Sequence, residues 1–189
     1  MKIIEGGVVA AKGFYASGVH CGIRKNKTKK DLALIYSEKK ASTASVYTTN
    51  KVKGAPLTVT KENISDGYAQ AVICNSGNAN TCNADGIEVA KNTCKALAEV
   101  LKIDSSDVVV ASTGVIGQPL DITPIVSAIP TLASTLSSSN KASKDAAEGI
   151  MTTDTRLKEI AVSFEIGGVE CKIGGIAKGS GMIHPNMAT

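Results

Sequence analysis

The chain has 189 residues, 43% of them hydrophobic and 20% charged, with a formal net charge of +4. That length fits one domain with a core of its own, and 3% aromatic content with no Trp requires a core of Val, Ile, Leu and Ala. Five scattered cysteines without a CxxC pair argue against a disulfide framework and a zinc site, and two histidines, His20 and His184, leave little material for any metal centre.

Met1 to Gly6 contains no apolar signal core, and no later stretch approaches the ~18 apolar residues of a membrane span, so a soluble, cytoplasmic chain is expected. Positive charge concentrates at Arg24, Lys25, Lys27, Lys29 and Lys30. No aromatic residue is interleaved to stack a base, and no apolar helical face adjoins the lysines. The cluster reads as a solvated hairpin tip rather than a nucleic-acid or membrane patch.

Asp31–Tyr36 and Ala44–Thr48 read as strands separated by a polar turn at Glu38-Lys39-Lys40. Ala69–Cys74 is a third apolar run. Gly86–Leu101 carries Ile87, Ala90, Cys94, Leu97, Ala98 and Leu101 at helical spacing, with Asp85 and Glu88 placed for a capping box. A buried-type strand follows at Asp107–Ala111. A short helix is expected over Thr123–Ile129, opened by Pro124 and stopped by Pro130, and another over Ser143–Met151. Ile160–Ile166 and Val169–Ile173 flank Gly167-Gly168 as a hairpin. About three helices among more numerous strands predict a layered α/β fold.

Three elements run out into small polar clusters: Asn75 to Asn80, Ser112 to Gly114, and Met151 to Thr155. Such residues make ordinary turns, yet loops at the ends of rigid elements are where sites are commonly built. The Thr113 hydroxyl beside the Gly114 N–H offers two adjacent donors, the requirement of an oxyanion hole. Lys178, flanked by small residues, is the other candidate, as a cation for a carboxylate or amine. The Gly174–Gly181 run lacks P-loop spacing, so phosphate binding is unsupported. The sequence closes on Met187-Ala188-Thr189, and a threonine becomes a nucleophile when its own freed N-terminal amine serves as base. The stretch is therefore a candidate for self-cleavage at Ala188-Thr189.

Read together and in this order, the motifs resemble the ornithine acetyltransferases, or glutamate N-acetyltransferases, of arginine biosynthesis. The resemblance rests on Ala11-Lys12-Gly13-Phe14, Gly22-Ile23-Arg24, Asp31–Ile35 and Val46–Asn50, then on Asn75–Asn80, Ser112–Gly117, Met151–Thr155 and Ala177–Thr189. It implies an α/β sandwich of strand-rich sheets flanked by helices, similar in outline to N-terminal-nucleophile hydrolases but of separate topology. It implies a precursor cut at Ala188-Thr189, with residues 1–189 as a single α-chain domain and a β chain beginning at the threonine. The reaction implied is ping-pong acetyl transfer from N-acetylornithine to glutamate. Thr189 would be the nucleophile and substrate contact, Thr113 and Gly114 the oxyanion hole, and Thr152 and Lys178 further substrate contacts. No cofactor is expected; acetyl-CoA is an additional substrate in bifunctional members. The expected partner is the β chain in an α2β2 assembly. Two other readings stay open on residues alone: a self-cleaving amidase or aminopeptidase with a threonine nucleophile, and a non-catalytic small-molecule binding domain.

Overall fold

The computed structural model describes residues 1–180. Among the described residues, two sheets and four α-helices make up the fold. The first sheet has the order β2-β3-β4-β5, from strands Phe14–Val19, Leu32–Ser42, Tyr68–Asn78 and Val108–Val115. The second has the order β1-β6-β7, from Lys2–Ile4, Glu159–Ile166 and Val169–Ile176. Helices α1 (Ala55–Asn63), α2 (Gly86–Leu101), α3 (Thr123–Ser134) and α4 (Asn140–Gly149) complete the set. This is the layered α/β arrangement expected from the sequence.

Alternation along the first sheet assigns its two faces. Leu32, Leu34, Ile73 and Val108 point to one side and bury against Val59, Leu97, Ile125 and Leu132 of α1, α2 and α3. The opposite face carries smaller residues: Ala16 and Ala33 pack on Ala142 and Ala146 of α4. Small size is the condition for this contact. A Cβ at Gly18 would collide with the Asp145 carbonyl, and one at Gly149 would press on Leu32 and Ala33.

Strand β4 pairs antiparallel with β3 and parallel with β5, the latter after the α2 crossover that parallel pairing demands. Strand β5 is one edge of the sheet, and α1 covers it by chemistry as well as packing. Thr60 Oγ1 lies 2.8 Å from the Val110 carbonyl, to which it donates, and accepts the Val110 N–H at 3.1 Å. Asn63 Nδ2 donates to the Val108 carbonyl at 2.8 Å. Backbone groups that would otherwise template another strand are thus occupied.

Several expectations need correction. Ala44–Thr48 is not a strand; instead β3 continues through Glu38-Lys39-Lys40 to Ser42, its register against β4 shifting between Tyr36 and Ala41. That irregularity absorbs the polar triplet that reads as a turn. Pro130 does not stop α3, which runs on to Ser134 because Ile125, Ile129 and Leu132 form one buried face. Pro130 lies on the exposed face, where water can take the carbonyl it frees. Helix α4 begins at Asn140, earlier than expected, because the Ser139 side chain accepts the Ala142 N–H as its cap. Helix α2 has the expected bounds, but Asp85 makes no side-chain cap bond and Ile87 is exposed, Val89 taking the buried position. Helix α1 was not anticipated.

The β6–β7 hairpin forms as expected, with Ile166 opposite Val169 and both turn glycines at positive φ. The second sheet is stitched to α4 through Ser143, whose Oγ accepts the Val8 N–H at 3.1 Å and meets Glu159 at 2.9 Å.

The edge bonds of Thr60 give a direct test. Thr60→Val keeps the shape but strands a buried carbonyl and N–H of Val110, so unfolding stability should fall by about 1–3 kcal/mol. Urea unfolding should show a lower midpoint with an unchanged slope.

Candidate functional site

A cavity of about 330 Å³ opens on the small-residue face of the first sheet, at the end of α4. Its floor is Ile35 of β3, Val72 and Cys74 of β4, and Ala111 of β5, while Ile150 and Ile176 form a wall. Polar groups enter at one end, from Ser112, Thr113 and Lys178. An apolar pocket with a few convergent polar groups is the usual form of a small-molecule site, and this volume suits an amino-acid-sized ligand.

Thr113 reaches the cavity because β4 and β5 stay paired beyond their apolar segments. Asn75, Ser76 and Gly77 lie opposite Ser112, Thr113 and Gly114, with a register shift at Gly77/Asn78. The polar cluster of β4 is therefore a built network rather than a free loop. Ser112 Oγ and Asn75 Oδ1 are 2.6 Å apart, and Asn75 Nδ2 donates to the Asn78 carbonyl at 2.9 Å. Asn78 Nδ2 in turn donates to the Gln118 carbonyl at 3.0 Å. Gly114 has φ +137°, and a Cβ there would run into the backbone of Gly77 and Asn78. The glycine thus permits close strand approach.

Lys178 follows β7, and its Nζ donates to the Gly179 carbonyl at 3.0 Å. The other titratable group among the described lining residues is Cys74. Desolvation pushes its thiol up to about 12 against the opposing pull of the Lys178 charge, so it stays a neutral thiol at pH 7. The setting thus disfavours the thiolate form of Cys74. Among the described residues, no group of three or more His, Cys, Asp or Glu is placed to hold a metal ion.

Thr152 sits in the loop between α4 and β6. Its N–H donates to Asp154 at 3.2 Å, and its carbonyl accepts from Arg24 at 3.2 Å. Arg24 also donates to the Met151 carbonyl at 3.2 Å. The basic segment is therefore not simply a solvated tip: Arg24 is docked, and Lys29 and Lys30 lie 3.6 and 3.7 Å from Glu148 and Asp145 of α4. Arg24 is itself fixed by the fully buried Asp31, which accepts the N–H groups of Cys21, Gly22 and Arg24 at 2.5, 3.2 and 2.8 Å.

Thr113 and Lys178 are thus brought to one cavity, Gly114 adjoins it in β5, and Thr152 lies two residues beyond its wall at Ile150. Ala188 and Thr189 lie outside the described residues. Sequence reasoning missed Asp31, Arg24 and Asp154 as organisers. A lone arginine among lysines was the available signal for Arg24, because a planar fork can serve two carbonyls where an ammonium cannot.

An apolar pocket on one sheet face of an α/β fold, with a threonine and a lysine among its lining, has the form of a small-molecule site. Comparison with known proteins gives the family. The ArgJ family model matches residues 15–189, and the chain belongs to that family. Arginine biosynthesis bifunctional protein ArgJ of Caldanaerobacter subterraneus subsp. tengcongensis is 52% identical, over 100% of this chain and 46% of its own length. Glutamate N-acetyltransferase of Methanocaldococcus jannaschii is 45% identical, over 99% of this chain and 45% of its own. The chain therefore spans about half the length of the curated relatives it matches. Among solved structures, ArgJ of Bacillus halodurans superposes with a TM-score of 0.91 at 41% identity, covering 97% of each chain. Ornithine acetyltransferase of Mycobacterium tuberculosis, in complex with ornithine, gives 0.90 at 33% identity, covering 96% of each.

The close strand approach at the site is testable. Gly114→Ala forces a Cβ to within 2.5 Å of the Asn78 nitrogen at a φ that side chains rarely adopt. Strain of this kind costs about 1–3 kcal/mol. Amide exchange at residues 76–79 and 112–115 should accelerate while the β6–β7 hairpin keeps its protection.

Proposed function

We propose that this chain is the α-chain half of an acetyltransferase that moves the acetyl group of N-acetylornithine to glutamate, after a cut between Ala188 and Thr189. The observation that carries the proposal is the meeting of Thr113 and Lys178 on one apolar cavity in a member of the ArgJ family. The names of the relatives, and the ornithine bound to the Mycobacterium tuberculosis structure, agree with that substrate class.

In this reading the freed amine of Thr189 takes the proton of its own hydroxyl, and the oxygen attacks the acetyl carbonyl. The Thr113 hydroxyl and the Gly114 N–H stabilise the oxyanion that develops. Collapse expels ornithine as the protonated amine and leaves an acetyl ester on Thr189. The amine of glutamate then attacks the ester, and N-acetylglutamate leaves as the threonine hydroxyl re-forms. Lys178 and Thr152 hold the substrate, the lysine by pairing with a carboxylate. The chain of transfers needs no cofactor, and acetyl-CoA would serve as an alternative donor if this member is bifunctional.

The partner is proposed to be the C-terminal half of the same precursor, in an α2β2 assembly in the cytoplasm. Register places Ile160, Ile166, Val169 and Ile173 on one face of the second sheet with Ile3, and each is 57–79% exposed. An apolar face of that kind is characteristic of a covered surface, and the missing half of the relatives' length supplies the cover.

Two tests bear on this reading. Thr113→Ala should lower turnover of the assembled protein about 10²–10³-fold, near 3–4 kcal/mol, with little change in stability. A near-normal rate would leave the motif a purely structural strand end. In the precursor, Thr189→Ala should leave one uncut polypeptide without acetyl transfer, whereas Thr189→Ser should retain some cleavage. Mass spectrometry of wild-type protein with N-acetylornithine alone should show one acetyl group on the peptide beginning at Thr189. Acetyl on Lys178, or steady release of free acetate without acceptor, would contradict the assignment, the latter in favour of an amidase.

A further inference from the structure

Asp154 lies in the loop between α4 and β6, with its side chain 3% exposed. Its two carboxylate oxygens serve different segments. Oδ2 accepts the Thr152 N–H at 3.2 Å, within its own loop. Oδ1 accepts the Gly179 N–H at 2.6 Å, from the segment that leaves β7, and the Lys158 ammonium at 2.8 Å. One carboxylate therefore joins the backbone beside Thr152 to the backbone beside Lys178. The same segment is also held one residue before Lys178, where the Ala177 N–H donates to the Lys158 carbonyl at 3.0 Å. Lys178 thus projects to the cavity from a backbone fixed on both sides.

We infer that Asp154 is a positioning residue that sets the placement of Lys178 and Thr152 about the cavity. The inference rests on the proposed reading of those two side chains as substrate contacts. Burial by itself would raise the Asp154 carboxyl, but Lys158 and the N–H groups of Gly179 and Thr152 outweigh it and hold the group well below the usual carboxylate range. The clamp is consequently charged and closed throughout the range in which an acetyltransferase would work. Gly179 matches this geometry, since a Cβ there would lie 2.6 Å from Asp154 Oδ1. Asparagine cannot replace the carboxylate: its one oxygen satisfies one N–H, and its amide presents a donor to the other.

The test uses the full-length, assembled protein, with active enzyme counted by the acetyl group trapped on the N-terminal threonine peptide. Asp154→Asn is close to isosteric, and Gly179→Ala displaces the carboxylate without removing its charge. Both should raise KM for N-acetylornithine about 10-fold or more, with kcat/KM falling by up to about 10²-fold, the scale of an ångström misplacement. Lys178→Ala and Thr152→Ala are measured alongside. Asp154→Asn added to the Lys178→Ala, Thr152→Ala double variant should be no worse than that double variant alone, because the aspartate acts through those two side chains. The inference is overturned if Asp154→Asn and Gly179→Ala lower only the melting temperature and leave KM per active site unchanged while Lys178→Ala raises it. It is also overturned if the Asp154 effect multiplies with that of the Lys178→Ala, Thr152→Ala double variant. Unchanged KM in both Lys178→Ala and Thr152→Ala would instead remove the substrate-contact premise, and that result is distinct from either of the others.

Discussion

The site depends on the close approach of two backbones where β4 and β5 remain paired past their apolar cores. Gly77 and Gly114 face each other at positive φ, with no room for a side chain at position 114. Separation of those strand ends would carry Thr113 away from the cavity floor. The asparagine network around Asn75 and Asn78 reinforces the approach from the side, since each amide occupies a carbonyl that strand pairing leaves open. Backbone geometry and side-chain amides thus solve one problem together: they hold a polar strand end rigid where the apolar drive for pairing has run out.

The two faces of the first sheet divide stability from function. Large aliphatic residues on one face meet α1, α2 and α3 and supply most of the burial. Where α4 packs, the other face is built from alanine and glycine, which lets the helix sit close but buries far less area per residue. Ile35, Val72 and Ala111 therefore stay only partly covered and become the cavity floor. The second sheet shows the same incompleteness on its outer side, where aliphatic residues from β1, β6 and β7 remain exposed. Both unfinished surfaces are consistent with a chain that spans about half the length of its relatives.

Where a single periodicity dominated, the sequence was legible. Helix α2 and the Gly-Gly hairpin have one pattern each, and both formed with the expected limits, give or take a lengthening of β7 to Ile176. Helix α1 escaped because Thr58, Val59 and Thr60 are β-branched and its hydrophobic face is narrow; tertiary contacts with the β5 edge decide its conformation. The reach of β3 and the persistence of α3 through Pro130 also reflect packing that no local window contains. At the site, Thr113 and Lys178 were legible through their motifs. Asp154 stood in a quoted motif, yet its role was hidden because its partner, Gly179, is separated from it by the whole β6–β7 hairpin. Arg24 was misread for a related reason, since its acceptors are carbonyls, which leave no trace in composition.

Charge is sparing where the chemistry is proposed to occur, and that shapes what the cavity can recognise. Cys74 is kept neutral by desolvation, and the floor offers no carboxylate, so the ammonium of Lys178 is the charged group among the described lining residues. An unopposed cation beside an apolar floor favours a ligand that brings a carboxylate, because their attraction is stronger there than in open water. The cation is specific only if its position is fixed, as a mobile lysine would pair with any anion within reach of its stem. Its own counter-ion cannot fix it without cancelling the charge. Anchoring the backbone on either side of Lys178, through the Lys158 carbonyl and the Asp154 carboxylate, resolves that conflict: the Asp154 charge is taken up by Lys158 and two N–H groups, and the Lys178 charge is left for the proposed substrate contact.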